Sequence, residues 1–146
     1  MVSEKSKIRR KLKYEHDPGK IYSSSFSIVK REAKIERFDS SLHALITRIV
    51  HSCGMIEVAD RLSFSKNIAL KGAEALRNGS TIICDCQMVA SGIIRRNLPV
   101  DNDILVTLND PTVPERAKLL NNTRSAAAVE LWEPFIENSI VVIGNA

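Results

Sequence analysis

His51 lies in Ile49-Val50-His51-Ser52-Cys53-Gly54, at the end of the strongest helical pattern in the chain. Histidine ordinarily titrates at about 6.5, so one held against a substrate can donate a proton near neutral pH. The apolar residues of its segment are Leu42, Leu45, Ile46, Ile49, Val50 and Cys53, an i, i+3, i+4, i+7 series. At about 100° per residue, His51 falls about 180° from that stripe. It is therefore not a packed core histidine, and two placements stay open: facing solvent, or lining a cleft or subunit contact.

A second signal is Asn122-Thr123-Arg124-Ser125. A cation in the first turn of a helix opposes the dipole, by a few tenths to about 1 kcal/mol. With an anion bound there, the free N–H groups and the guanidinium would act together; otherwise Arg124 points to solvent. Asp85, Asn109-Asp110 and Asn145 each follow an apolar strand-like run. Ligands of parallel α/β sheets collect at such strand ends, although Asp and Asn are also common turn formers. Arg95-Arg96 could meet carboxylates or be solvated. Cys84-x-Cys86 has no second Cys/His pair at ligand spacing, so no metal site is expected. No glycine-rich loop follows a strand, so no nucleotide cofactor is expected either.

These residues need elements to position them. Asp17-Pro18 starts a helix from Gly19 to about Ile35, with Ile21, Phe26, Val29 and Ala33 as its buried side. Ser40 or Ser41 caps the helix that runs to Cys53, and Gly54 closes it. An extended stretch is expected at Leu62–Phe64, then a helix from about Lys66 to Arg77, ended by Asn78-Gly79. Thr81–Cys84, Ile104–Leu108 and Ile140–Ile143 read as strands. Helices are expected at Gln87–Ile93, from Pro114 to about Leu120, and, capped by Asn122, from Thr123 to Trp132. Short apolar strands alternating with helices predict an α/β domain with a mostly parallel sheet.

The 146 residues are the size of one ordinary domain. The net charge of +4 is concentrated in residues 1–13, which hold six Lys/Arg and one Glu; the remainder carries 15 basic and 16 acidic residues, a net of −1. Residues 1–16 thus read as a basic, solvated, disordered arm, or as an electrostatic contact for a nucleic acid or membrane. The slightly acidic body, without aromatic-basic interleaving, argues against a nucleic-acid-binding protein. No apolar run approaches the ~20 residues of a membrane helix, and the basic start lacks the apolar region of a secretory signal. Three cysteines do not make a disulfide framework. A cytoplasmic protein is expected.

Several blocks together resemble the precorrin-8X methylmutase (precorrin isomerase) family. They are Ile21-Tyr22-Ser23-Ser24-Ser25-Phe26; Ile49-Val50-His51-Ser52-Cys53-Gly54; Cys84-Asp85 with Met88-Val89 and Gly92; Thr107-Leu108-Asn109-Asp110-Pro111; Asn122-Thr123-Arg124-Ser125-Ala126-Ala127; and Ile143-Gly144-Asn145-Ala146. Each is weak alone, but six in order with compatible spacing are specific.

The resemblance implies a flavodoxin-like, three-layer α/β domain over 17–146, working as a homodimer. It implies an isomerase of cobalamin biosynthesis that moves a methyl group from C-11 to C-12 of precorrin-8X, or of its cobalt form, giving hydrogenobyrinic acid without a cofactor. By carry-over, His51 is catalytic, protonating or hydrogen-bonding a ring position. Arg124 and Ser25 bind substrate, and Asp85 shapes the pocket. Ile94 stands where many members have threonine, and Ser91 where histidine is frequent. Against the family pattern the sequence stops after the Gly-Asn-Ala block, so the last strand and helices of the domain are expected to be missing. A neighbouring strand would then present unpaired backbone groups. The alternative function is accordingly an inactive remnant that at most binds a corrinoid or dimerises.

Overall fold

The computed structural model describes residues 13–144. The basic arm lies almost wholly outside the described residues, as does Asn145. The chain divides into two compact units, one ending at Phe64 and the other beginning at Ser65. No helix among the described residues is long and apolar enough to cross a membrane.

In the first unit, α1 (Pro18–Glu32) begins where Asp17-Pro18 announced it. The Asp17 carboxylate accepts from the N–H groups of Gly19 and Lys20 at 2.8 and 3.2 Å, satisfying two of the first turn's orphan donors. Val29 is the helix's buried residue, whereas Ile21, expected inside, is 49% exposed. After Ala33, Lys34 takes a left-handed φ of 48° and turns the chain into buried Ile35.

The cap of the next helix differs from expectation. Asp39, rather than Ser40 or Ser41, caps a 3₁₀ turn over Ser40–Leu42 by accepting from the Ser41 N–H at 2.9 Å. That turn leads into α2 (His43–Cys53), which Gly54 closes at φ 69° with its N–H on the Val50 carbonyl. The buried residues within α2 are Ile46, Thr47 and Val50, while Leu45 and Cys53 of the expected stripe are exposed. Thr47 can turn inward because its hydroxyl donates to the His43 carbonyl at 2.6 Å. A short helix, α3 (Val58–Arg61), follows. Leu62–Phe64 is coil rather than a strand; Phe64 instead meets Phe38 edge-on at 6.4 Å.

The second unit opens with α4 (Ile68–Arg77) and continues into β1 (Ile82–Cys84), α5 (Gln87–Gly92), β2 (Ile104–Val106), α6 (Val113–Leu119), α7 (Arg124–Val129) and β3 (Ile140–Val142). The three strands are parallel, in the order β2-β1-β3. Ile82, Ile83 and Cys84 are all buried because β1 is paired on both sides. This order is how a flavodoxin-like 2-1-3 sheet begins, and it puts the topological switch point between β1 and β3.

α6 and α7 pack through small residues, Val113 and Ala117 against Ala127 and Ala128. Thr123, not Asn122, caps α7, accepting from the Ala126 N–H at 3.1 Å. Asn122 accepts from the Thr123 N–H one residue earlier. The α-helix is also shorter than expected, passing into a 3₁₀ segment over Glu130–Phe135 that contains Pro134. Two buried polar groups tie the unit together. Asn102 donates to the carbonyls of Leu76 and Ser80, each at 3.0 Å. Thr107 donates to the Ala128 carbonyl at 2.8 Å and accepts from the Trp132 indole N–H at 2.9 Å.

Candidate functional site

The first unit brings two of the expected residues together. Ser25 projects from α1 and His51 from the last full turn of α2, and Ser25 Oγ lies 2.8 Å from His51 Nδ1. The face of α1 that makes this contact is Tyr22, Ser25, Phe26 and Val29, an i, i+3, i+4, i+7 series with a serine inside it. Tyr22 and Phe26 complete the surroundings, with ring centroids 5.5 and 5.1 Å from the imidazole. The Arg48 guanidinium lies over the Phe26 ring, 5.5 Å from its centroid.

His51 is half-buried, so it is neither a core histidine nor a freely solvated one. Its position follows from the corrected stripe: it stands about 90° from the centre of Ile46, Thr47 and Val50, not opposite it. It lines a cleft of about 590 Å³, together with Ile21, Ser24, Ser25, Ile28 and Val50 among others. An imidazole at the rim of a mostly apolar cleft, with one nitrogen held by a hydroxyl, can present the other nitrogen to a ligand.

The second unit holds the other two residues at the carboxyl edge of its sheet. Asp85 follows β1; its N–H donates to the Val142 carbonyl at 3.2 Å and its Oδ1 accepts from the Gly144 N–H at 3.1 Å. It thereby joins the ends of β1 and β3 at the switch point. Gly144 is required there by close approach, since an added Cβ would meet Val89 Cγ2 at 2.5 Å. Arg124, at the first position of α7, donates from Nη2 to the carbonyl of Leu108, just past β2, at 3.3 Å. The remainder of its guanidinium is exposed. Asp110, in the same turn after β2, accepts from the Thr112 hydroxyl and N–H, and these bonds hold its carboxyl below the ordinary range. That makes it an anionic turn former.

Arg95 and Arg96 are exposed in a 3₁₀ turn. Burial pushes the Cys84 thiol up, with Asp85 and Cys86 adding to the effect, so it is a core residue and not a nucleophile. Tyr22 and Phe26, which belong to the Ile21–Phe26 block and of which Phe26 is expected on the buried side of the helix, are site residues to which the sequence assigns no role in the site. Their i, i+4 spacing was the available signal, masked by the assignment of Ile21 to the buried side.

The family described as precorrin-8X methylmutase matches residues 20–146. A precorrin-8X methylmutase of Pseudomonas aeruginosa is 44% identical over 133 residues, covering 91% of this chain and 64% of that protein. One of Sinorhizobium sp. is 41% identical over 133 residues, covering 91% and 63%. The chain thus spans a little under two thirds of the length of these relatives. Among solved structures, the precorrin-8X methylmutase from Thermus thermophilus superposes with a TM-score of 0.76 at 30% identity, over 88% of this chain and 63% of that one.

Proposed function

The chain belongs to the precorrin-8X methylmutase family, and on that premise we propose that it is an isomerase of cobalamin biosynthesis, moving a methyl group from C-11 to C-12 of precorrin-8X. The methyl leaves and arrives within one molecule, so electrons balance without an oxidant or reductant. His51 protonates or hydrogen-bonds a ring position, which draws electron density from the receiving carbon and lets the methyl migrate with its bonding pair. A group in this role contributes about 10²–10⁴-fold in rate. The carboxylate arms of the substrate give the Arg124 guanidinium its partner. Ser25 and Asp85 shape the surroundings of His51 and of the sheet edge, respectively.

The observation that carries this reading is the 2.8 Å contact of Ser25 with His51 at the rim of the cleft. The protein acts in the cytoplasm and as a homodimer, the latter testable by light scattering of the purified chain. The decisive experiment incubates the protein with precorrin-8X and follows the absorbance change to hydrogenobyrinic acid. Turnover is expected from the wild type, with a fall of about 100-fold or more in His51→Ala. Unchanged turnover in His51→Ala would remove the histidine from the mechanism.

A further inference from the structure

We propose that Ser25 is a positioning residue that fixes the tautomer of His51, so that the neutral imidazole carries its proton on Nε2 and works as a hydrogen-bond donor. This deepens the proposed function and rests on it only for its catalytic consequence. The starting point is a contrast along α1. Ser23 and Ser27 do what helical serines commonly do and donate back to the main chain, to the carbonyls of Lys20 and Ser23 at 3.1 and 2.9 Å. Ser25 lies between them, yet its hydroxyl reaches across to Nδ1 of His51 at 2.8 Å.

A hydroxyl has one proton to give, and a neutral imidazole has one nitrogen that accepts and one that donates. Carbonyls of this helix accept hydroxyl protons besides their ladder bonds, as those of Lys20 and Ser23 do, but the Ser25 hydroxyl is turned to the ring nitrogen instead, and an unprotonated Nδ1 gives its proton an acceptor there. With Nδ1 accepting, the ring proton must sit on Nε2. The opposite arrangement would have Nδ1–H donate to Oγ and leave the hydroxyl proton to seek another acceptor. The rings of Tyr22 and Phe26, at 5.5 and 5.1 Å, crowd the imidazole and oppose the flip that would exchange its edges.

The tautomer decides what the ring can do. A neutral Nε2–H tautomer can polarise a ring nitrogen or carbonyl by hydrogen bonding. To deliver that proton outright it would need Nδ1 to recover one from a serine hydroxyl, a far weaker acid than imidazolium. In this neutral tautomer the ring acts by polarisation; full transfer belongs to the imidazolium, whose Nδ1–H would donate to Ser25 Oγ.

The test is nitrogen-15 NMR of the imidazoles in the 146-residue chain at about pH 8.5, where histidine is ordinarily neutral, with His51 assigned from a His51→Gln spectrum. The wild type is expected to show a protonated Nε2 and an Nδ1 resonance displaced by an accepted hydrogen bond. Ser25→Ala should return that Nδ1 resonance toward free imidazole and lower kcat about tenfold, with little change in KM. Ser25→Thr, which keeps the hydroxyl, should restore both. A wild-type proton on Nδ1, or an Nδ1 resonance indifferent to Ser25→Ala, overturns the assignment. The expected NMR pattern without wild-type turnover of precorrin-8X would support the tautomer and refute the isomerase reading, so the two ideas fail separately.

Discussion

Thr107→Val is the substitution whose effect is most directly worked from the structure. Thr107 is 7% exposed and Trp132 5% exposed, and the threonine hydroxyl is the acceptor for the indole N–H while donating to the Ala128 carbonyl. Valine keeps the shape and removes both bonds. A buried N–H left without an acceptor costs about 1–3 kcal/mol, and the lost bond to Ala128 adds about 1 kcal/mol. The buried methyl that replaces the hydroxyl offsets part of this, leaving an expected loss of about 2–3 kcal/mol. With a urea m-value of about 2 kcal/mol per molar, the unfolding midpoint should fall by about 1 M or slightly more. Trp132 is the only tryptophan in the chain, so its fluorescence reports unfolding directly. A second arm isolates the stranded donor. Trp132→Phe deletes the N–H, so adding Thr107→Val on that background should cost about 1–3 kcal/mol less than it does alone, measured by circular dichroism. A midpoint within about 0.25 M of wild type, or strict additivity in the cycle, would show that the hydroxyl is not the group satisfying Trp132. The bond matters beyond stability, because Thr107 immediately precedes Leu108, whose carbonyl receives Arg124.

Arg124→Gln removes the charge, and it is expected to raise KM for precorrin-8X about tenfold with kcat little changed; an unchanged KM at low salt would take Arg124 out of substrate binding. Gly144→Ala should force Val89 or the loop aside and weaken the bond to Asp85, costing about 1–3 kcal/mol. Val89→Ala in the same chain should recover most of it, and failure to recover would mean that the close approach is not the cause. For Asp110, the folded pKa is depressed by its bonds to Thr112. Its contribution is present in full above the unfolded value of about 3.9 and is lost as pH falls through the lower folded value. Thr112→Val should move the Asp110 titration, followed by carboxyl carbon-13 NMR, up toward the ordinary range; no movement would reassign the cause.

What the sequence made legible, and what it hid, divides along a physical line. The strand cores were readable because Ile82, Ile83 and Cys84 form a continuous apolar run, as a strand buried by two parallel neighbours must. Asp17-Pro18 and Gly54 were readable because a carboxylate before proline, or a left-handed glycine, has few other uses at a helix end. The caps at Asp39 and Thr123 were each misplaced onto a neighbour, because Asp39-Ser40-Ser41 and Asn122-Thr123 offer competing oxygens one bond apart in reach. The deeper misses share one cause. Ser25, Thr47, Asn102 and Thr107 face inward although their types read as surface. A hydroxyl or amide can enter the interior only where a partner waits for it. For Thr47 that partner is four residues away, but for Ser25, Asn102 and Thr107 it lies more than twenty residues off, beyond any local pattern. With Thr47 counted as polar, the apolar stripe of α2 leans toward Leu45 and Cys53 and leaves His51 on the far side of its helix. Restoring Thr47 to the buried face swings the histidine to its edge, where α1 can reach it. The same correction on α1, counting Ser25 with Tyr22, Phe26 and Val29, supplies the hydroxyl that meets it. Both departures from binary patterning thus converge on one hydrogen bond, the kind of place where local rules yield to function.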